Sequence, residues 1–209
     1  MIRYIFTCCY LFIGFLVVAQ DTLYYDSGAI RSVGRLVNDQ KEGDWLIYYP
    51  GGLLNSQLSY HRGVLEGEQR VYGFTGALES REFWVDDLPQ DSAFYYYADG
   101  TLERHGRYEM GLYSGLWQFY HANGELRQEG SYQKGLPHGL WLSYYENGQV
   151  RDEGFYTDGR ESGLWKFFDE RGNPTYEGHY ADWKRVGQWY FYNKTGKQKK
   201  WKRFPLSGD

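Results

Sequence analysis

The chain has little that would support a disulfide framework, a thiolate metal site or a helical fold. Its only two cysteines, Cys8 and Cys9, lie in an apolar stretch near the N-terminus, and the rest of the chain has no thiol. A disulfide scaffold and a cysteine nucleophile are therefore excluded beyond this stretch. Only 5 prolines stand against 27 glycines, and helix start and stop signals are absent after the N-terminal stretch. This balance is typical of many short strands separated by turns.

Basic charge is also scarce over most of the sequence. The formal net charge is −4, whereas general nucleic-acid binding needs a basic footprint, so we expect no nucleic-acid partner. A basic C-terminal tail at 194–203 is the exception. It could make a peripheral membrane contact by docking on anionic lipid or on a wall polymer. Alternatively, it is a charged last strand that blocks edge-to-edge aggregation. The tail consists of Lys194, Lys197, Lys199, Lys200, Lys202 and Arg203.

Residues 1–19 are predicted to be a secretory signal peptide. The stretch from Ile5 to Val18 is apolar or small, and Arg3 is the only charge before Asp21. It is too short for a spanning helix, which needs about 20 apolar residues. The small residue Ala19 favours cleavage near position 20, although an uncleaved N-terminal anchor is the alternative. We therefore expect an exported monomer, periplasmic, on the outer surface or secreted, with a single repeat domain at 20–209.

A 24-residue repeat dominates the rest of the chain, and it predicts a repeat architecture in which each unit packs only on its neighbours. We count about eight units, of which the first and last are incomplete. The units at 67–111 are degenerate, because Gln69 and Ala93 replace a recurring tryptophan and Glu82 replaces a strand glycine. The leading glycines are Gly43, Gly67, Gly115, Gly139, Gly163 and Gly187, with Asp91 out of step, and tryptophan follows two places later at Trp45, Trp117, Trp141, Trp165 and Trp189.

Each unit is predicted to be a β-hairpin. An aromatic first strand ends at a turn dipeptide such as Asn123-Gly124, which favours a tight turn with positive φ at both residues. If this turn has two residues, Trp117 pairs with Gly130, and the indole covers the strand glycine of its own hairpin. A turn one residue longer would reverse every assignment on the second strand. The predicted fold class is all-β: an elongated, twisted antiparallel sheet of tandem hairpins in an open single layer.

The same register assigns the two faces of the sheet. Trp117 and Phe119 lie on a buried aromatic face, whereas Gln118, Tyr120 and Glu129 lie on the other. The recurring glutamates Glu129, Glu153 and Glu177 are interpreted as a solvated row that pairs with Lys166 or Arg127. The aromatic residues five places after each leading position face outward and are the candidate binding stripe: Tyr48, Tyr72, Tyr96, Tyr120, Tyr144, Phe168 and Tyr192.

No catalytic, cofactor or metal site is predicted. The histidines at 61, 105, 121, 138 and 179 share no repeat position and no ligand spacing. Serine and histidine form no nucleophile motif, and no glycine-rich loop precedes a helix. The chain is therefore expected not to be an enzyme.

The pattern Gly-x-Trp-x-Phe-Tyr-x-x-x-Gly, followed by Glu-Gly-x-Tyr, resembles MORN repeats, and most closely the bacterial variant found in YwqK-like antitoxins. Residues 115–196 match it well, 43–63 fairly and 67–111 weakly. The resemblance implies a sheet of hairpin repeats and a role in binding proteins or membranes. An antitoxin would usually be cytoplasmic, which conflicts with a signal peptide.

The unit from Gly187 to Gly196 also resembles the choline- or glucan-binding wall repeats, although their period is nearer twenty. Three hypotheses follow. The first is an exported, non-enzymatic scaffold that binds an unknown protein or a component of the cell envelope. The second is a carbohydrate- or choline-binding wall module, and the third is an antitoxin.

Overall fold

The protein, analysed as a computed structural model that describes residues 20–206, is one open antiparallel sheet. Each strand pairs with its neighbours in sequence, which confirms the predicted all-β class of tandem hairpins. The strands are β1 (Asp21–Tyr24), β2 (Ile30–Val37), β3 (Gln40–Tyr48), β4 (Leu54–His61), β5 (Val64–Leu65), β6 (Gly67–Tyr72), β7 (Leu78–Val85), β8 (Leu88–Tyr96), β9 (Leu102–Glu109), β10 (Leu112–Tyr120), β11 (Leu126–Gln133), β12 (Leu136–Tyr144), β13 (Val150–Thr157), β14 (Arg160–Phe168), β15 (Pro174–Ala181), β16 (Lys184–Tyr192) and β17 (Gln198–Phe204).

Strands pair two by two into eight hairpins, from β1–β2 to β16–β17. Both β5 and β6 pair with β4, so together they form the first strand of the third hairpin. Within residues 20–206 there is no helix long and apolar enough to cross a membrane. The predicted signal peptide lies outside the described residues.

The turn inside each hairpin differs from the prediction. At Asn123-Gly124 only the glycine has positive φ, 86°. The Gly124 amide donates to the carbonyl of His121 (2.9 Å), and the His121 amide donates to the carbonyl of Glu125 (2.8 Å). This is a type I turn followed by a glycine bulge, which makes the loop one residue longer than the predicted two-residue turn.

A second bulge restores the predicted register. Tyr120 pairs with Leu126, but Phe119 already pairs with Gln128, so Arg127 is an extra residue in β11. The longer turn shifts the register by one residue and the bulge shifts it back by one, so every pairing beyond the bulge is the predicted one. The predicted pairing of Trp117 with Gly130 is therefore confirmed.

The two-residue turn with positive φ at both positions occurs between the hairpins instead. Lys134 and Gly135 have φ of 52° and 79°, and Gln133 pairs directly with Leu136 across them. These values are those of a type I′ turn, whose twist matches the flanking strands. The first strand of the next unit consequently begins three residues before the leading glycine.

The tryptophan ring does not cover the glycine of its own hairpin. A Cβ built on Gly130 would lie 2.1 Å from Cδ2 of Trp141, which belongs to the following unit, and the same holds for Gly106 and Trp117 at 2.2 Å. Each strand has two neighbours, and the indole leans back over the preceding hairpin. There its Nε1 donates to the carbonyl after the glycine, as in Trp117 to Arg107 (3.0 Å). This contact locks consecutive units together.

The core is a zigzag of edge-to-face aromatic rings on this face, which we call the tryptophan face. Tyr132 meets Trp141 at 5.1 Å and 85°, and Trp141 meets Tyr156 at 5.7 Å and 71°. Such pairs are favoured by the ring quadrupole. The residue two places before the leading glycine covers some of the indoles, as Tyr113 stacks on Trp117 at 3.9 Å. A single layer thereby buries the five tryptophans of the ladder without a second sheet.

The degenerate units replace both partners of the lock. Gln69 is buried, and its side chain bonds both the amide and the carbonyl of Ser59 at 2.9 and 3.0 Å. It therefore takes the place of an indole over Leu58, which stands where other units have glycine. In the next unit the small Ala93 faces Glu82. Where tryptophan is lost, the glycine beneath it is lost as well.

Candidate functional site

The indoles of the tryptophan face are closed in the regular units. Trp45, Trp117 and Trp189 are at most 1% exposed. A sugar or a quaternary ammonium group binds by contacting an exposed ring face. These rings are already covered on one side by a strand glycine and on the edges by neighbouring aromatics. The tryptophan face therefore acts as the core.

The opposite face carries an unbroken row of mostly polar side chains, which we call the polar row. Direct cross-strand pairs link one strand to the next, and Glu153 forms an ion pair with Lys166 at 2.9 Å. Burial is only partial, so such a pair contributes little to stability. In the regular units the row runs through His105, Gln118, Glu129, Leu142, Glu153, Lys166, Glu177 and Tyr190.

The predicted binding stripe lies beside the polar row. All seven residues are half-buried, and each is the last residue of its strand, at the ends of β3, β6, β8, β10, β12, β14 and β16. Their backbone carbonyls also join units: the hydroxyl of Tyr97 donates to the carbonyl of Tyr120 (2.8 Å), and that of Tyr145 to the carbonyl of Phe168 (2.9 Å). The backbone carbonyls of the stripe thus help to hold consecutive units together, and the role of its side chains in binding stays a prediction.

Several stripe hydroxyls are tied to the polar row. Tyr144 donates to Glu129 and Tyr192 to Glu177, each at 2.9 Å. Burial, followed by the contact with Glu129, raises the pKa of Tyr144 to about 12. The expected pairing of Glu153 with Lys166 is confirmed, whereas none of the described ion pairs involves Arg127, the bulged residue. Glu129 and Glu177 consequently orient two stripe residues, Glu153 is paired with Lys166, and the three glutamates do not form a freely solvated row.

A more exposed set of apolar side chains on the same face was missed by the sequence analysis. Leu116, Leu140 and Leu164 follow the leading glycine and are 54%, 45% and 37% exposed. Phe155, 48% exposed, pairs directly with Leu140. We call these four residues the leucine patch. The signal was available, because a residue between glycine and a buried tryptophan must face the other side of a strand.

Titratable clusters and depressions give no catalytic arrangement that we can derive. Within residues 20–206, no group of three or more His, Cys, Asp or Glu side chains is placed to hold a metal ion. The depressions found on the described sheet are open, and several have mainly polar linings, such as the one lined by Arg35, Glu42 and His61.

The basic tail forms the edge of the sheet. Strand β17 pairs only with β16 among the described strands, and Lys199, Lys200, Lys202 and Arg203 on it are exposed. This position fits both interpretations of the tail. Charge on an edge strand prevents pairing with strands of other chains, and a strand at the end of the sheet can also contact an anionic surface.

The fold and its two faces define the class: a β-repeat protein of tandem hairpins locked by tryptophan. Within this class, a family model described as "MORN repeat variant" matches three consecutive units, residues 113–134, 137–158 and 161–182. Each matched segment spans one hairpin of the regular half. This bears out the MORN resemblance for these units, but not the narrower antitoxin resemblance. No curated protein matches the chain.

Two solved structures share a weak likeness. They are titled "Crystal Structure of TcdB2-TccC3-Cdc42" and "Crystal Structure of TcdB2-TccC3", with 11% and 12% identity and TM-scores of 0.20 and 0.19. The alignments cover 87% and 83% of this chain, but only 14% and 13% of those chains. This chain thus spans about a seventh of their length, and a likeness at this TM-score carries no functional weight.

Proposed function

We propose that this protein is an exported, non-enzymatic scaffold that binds another protein, or a protein of the cell envelope, through the opposite face of its sheet. The leucine patch is the observation that carries the proposal. Its three leucines recur at the repeat period, and exposed apolar patches on soluble domains mark interaction sites. The half-buried stripe borders the patch across the polar row and supplies aromatic contacts.

Protein is favoured over carbohydrate as the ligand by the kind of side chain that is exposed. The exposed members are three leucines and one phenylalanine, which suit an apolar protein surface with a polar rim. The ladder indoles that a wall module would offer are closed, with Trp117 and Trp45 at 0% exposure, and the two exposed indoles, Trp183 and Trp201, lie only at the C-terminal end of the described sheet. The matched repeats support a scaffold that acts by binding.

The test is a cross-linking pull-down from the native host, using the chain from Gln20 onward. Leu116→Lys combined with Leu140→Lys should remove the specific cross-linked partner, because two charges would enter the apolar centre of the interface. The matched control, Phe74→Lys with Met110→Lys, changes apolar residues that are even more exposed, 78% and 73%, but lie in turns. A partner that survives the patch variant, or is lost equally in the control, would contradict the proposal.

Two further outcomes separate the alternatives. Strong retention on purified cell wall, released by choline or by a defined sugar, would favour the wall-module reading. Fractionation of the native host tests export, because full-length protein in the cytosol would contradict it and would favour the antitoxin reading.

A further inference from the structure

Charge is divided unevenly along the sheet. From residue 20 to 182 there are 26 Asp and Glu against 14 Lys and Arg. Between Trp183 and Leu206 there are eight Lys and Arg and no acidic residue. We call residues 183–206, which form β16 and β17, the basic end. The boundary falls at the last inter-unit turn, so the sign of the charge changes between the acidic body, residues 20–182, and the basic end.

All eight basic side chains of the basic end are exposed. None of them takes part in an ion pair within residues 20–206, although eight ion pairs occur elsewhere in that range. Arg185 packs over the ring of Trp189 at 4.6 Å and closes the aromatic zigzag. The charges therefore face outward around one end of the sheet and have no counter-ions among residues 20–206.

An exposed tryptophan sits at the start of this end in a strained backbone conformation. Trp183 is the second residue of the last type I′ turn, with φ of 65°, and it is 58% exposed. Four equivalent turns have glycine there, at Gly63, Gly111, Gly135 and Gly159, and the other two have aspartate. A bulky residue in this region is costly, and such an outlier is a reason to look for a function. Contacts with Arg160 (4.6 Å) and the Gly159 carbonyl (3.3 Å) hold the ring in place.

A second exposed tryptophan lies on the edge strand itself. Trp201 is 44% exposed and lies between Lys200 and Lys202. The guanidinium of Arg185 is 5.6 Å from its ring centroid. Leu206, 56% exposed, follows the strand. Amphipathic rings flanked by lysine and arginine are typical of groups that sit at a membrane–water interface.

We propose that the basic end docks on the surface of an anionic lipid bilayer, with Trp183 and Trp201 entering the headgroup region. A soluble polyanion would satisfy the lysines, but it offers no apolar phase for two indoles and Leu206. A bilayer offers both, because long basic side chains reach phosphates while rings bury below them. This goes beyond the proposed protein binding, since it uses the end of the sheet and not the face that carries the leucine patch.

The first experiment measures co-sedimentation of the chain from Gln20 onward, which contains every described strand, with vesicles. Binding should require phosphatidylglycerol in phosphatidylcholine vesicles and should weaken with salt. Each Lys or Arg at an anionic leaflet strengthens association by about five-fold, so reversing three of them should cost at least about 100-fold. The test variant combines Lys199→Glu, Lys200→Glu and Lys202→Glu.

A matched control reverses three exposed basic residues of the acidic body, Arg31→Glu, Arg62→Glu and Lys134→Glu. The net charge changes equally, but these sites lie many strands away, beyond a Debye length of about 10 Å, so the loss should stay below about three-fold. Equal loss in both variants would overturn the proposal. So would equal binding to neutral vesicles, or binding to soluble polyphosphate without binding to vesicles.

Trp183→Gly separates membrane binding from folding. Glycine relieves the positive φ, so the urea midpoint should not fall, while vesicle binding should weaken several-fold. Quenching of tryptophan fluorescence by brominated lipid should also decrease, because Trp189 and the other ladder indoles stay buried. Unchanged binding and unchanged quenching would remove Trp183 from the contact and overturn its proposed role.

Discussion

The lock between Gly130 and Trp141 can be tested by adding a single methyl group. In Gly130→Ala the new Cβ would lie 2.1 Å from Cδ2 and 2.2 Å from Cε2 of the indole, distances that real Cβ atoms do not reach. Trp141 is 4% exposed and its Nε1 donates to the carbonyl of Ser131 at 3.2 Å, so the ring has no free direction in which to move. The unit must therefore open or shift.

The expected cost is about 2–3 kcal/mol of unfolding free energy. Overpacking a filled site typically costs about 1–3 kcal/mol, and this contact lies at the severe end of that range. Replacing glycine by alanine also stabilises by about 0.4–1 kcal/mol through the unfolded chain, which offsets part of the loss. Gly51→Ala is the matched control, because Gly51 has no positive φ and nothing lies within 4 Å of its built Cβ.

The chain also provides its own rescue. Leu58 and Gln69 occupy the places of Gly130 and Trp141 in a degenerate unit. Trp141→Gln alone should cost about 3–5 kcal/mol, because it empties a large buried site. Gly130→Leu should be severe in the natural background but should cost under about 1 kcal/mol when combined with Trp141→Gln. The coupling energy should therefore be at least about 2 kcal/mol.

Urea unfolding followed by circular dichroism measures all four members of this cycle. Tryptophan fluorescence alone would mislead, since one variant removes a fluorophore. Equal cost of Gly130→Leu in both backgrounds would refute the lock, because it would show that the indole does not occupy the space above Gly130. A loss in Gly51→Ala as large as in Gly130→Ala would refute the steric argument as well.

Two other predictions concern tyrosine ionisation and the ends of the sheet. Burial raises the pKa of Tyr132 and Tyr156 to about 12, so the unfolded chain, with tyrosine pKa near about 10, loses protons first. The stability that depends on these groups is complete below about pH 10 and is lost as pH rises toward about 12; urea midpoints that stay flat across this range would contradict it. Asp21→Trp combined with Lys202→Gly should give head-to-tail oligomers in analytical ultracentrifugation, because it completes the lock between two copies; a monomeric double variant, or oligomers in either single variant, would count against this.

The sequence established the repeat, the hairpins and the pairing of Trp117 with Gly130, since all three follow from spacing and alternation. It did not predict the turn type, because an Asn-Gly dipeptide suits a type I′ turn and a type I turn with a glycine bulge almost equally. The correct register survived this error only because Arg127 adds a compensating residue in the next strand.

Three of the tryptophans have one strand glycine opposite them in their own hairpin and another in the preceding hairpin. The sequence alone could have shown which of the two the indole covers. Leu58 stands 13 residues after Trp45, directly opposite it, where an overlying indole would clash with a leucine. Gly106 is a glycine although the residue opposite it in the same hairpin, Ala93, is too small to require one. Glycine is present at this strand position only where tryptophan follows 11 residues later. This spacing indicates that each indole covers the glycine of the preceding unit. The leucine patch required only the alternation of side chains, whereas the exposure of the basic end required coordinates.

The same rule distinguishes the first and last units of the described sheet from the inner ones. Asp21 occupies the tryptophan position of the first unit, and Lys202 occupies the glycine position of the last. The first and last units of the described sheet therefore have a charged residue where the inner units have an indole or a strand glycine. Between them the ladder is broken at Gln69 and Ala93, and all later units are locked one to the next. The leucine patch and the basic end both lie in this locked half, where nearest-neighbour contacts hold a binding surface most firmly.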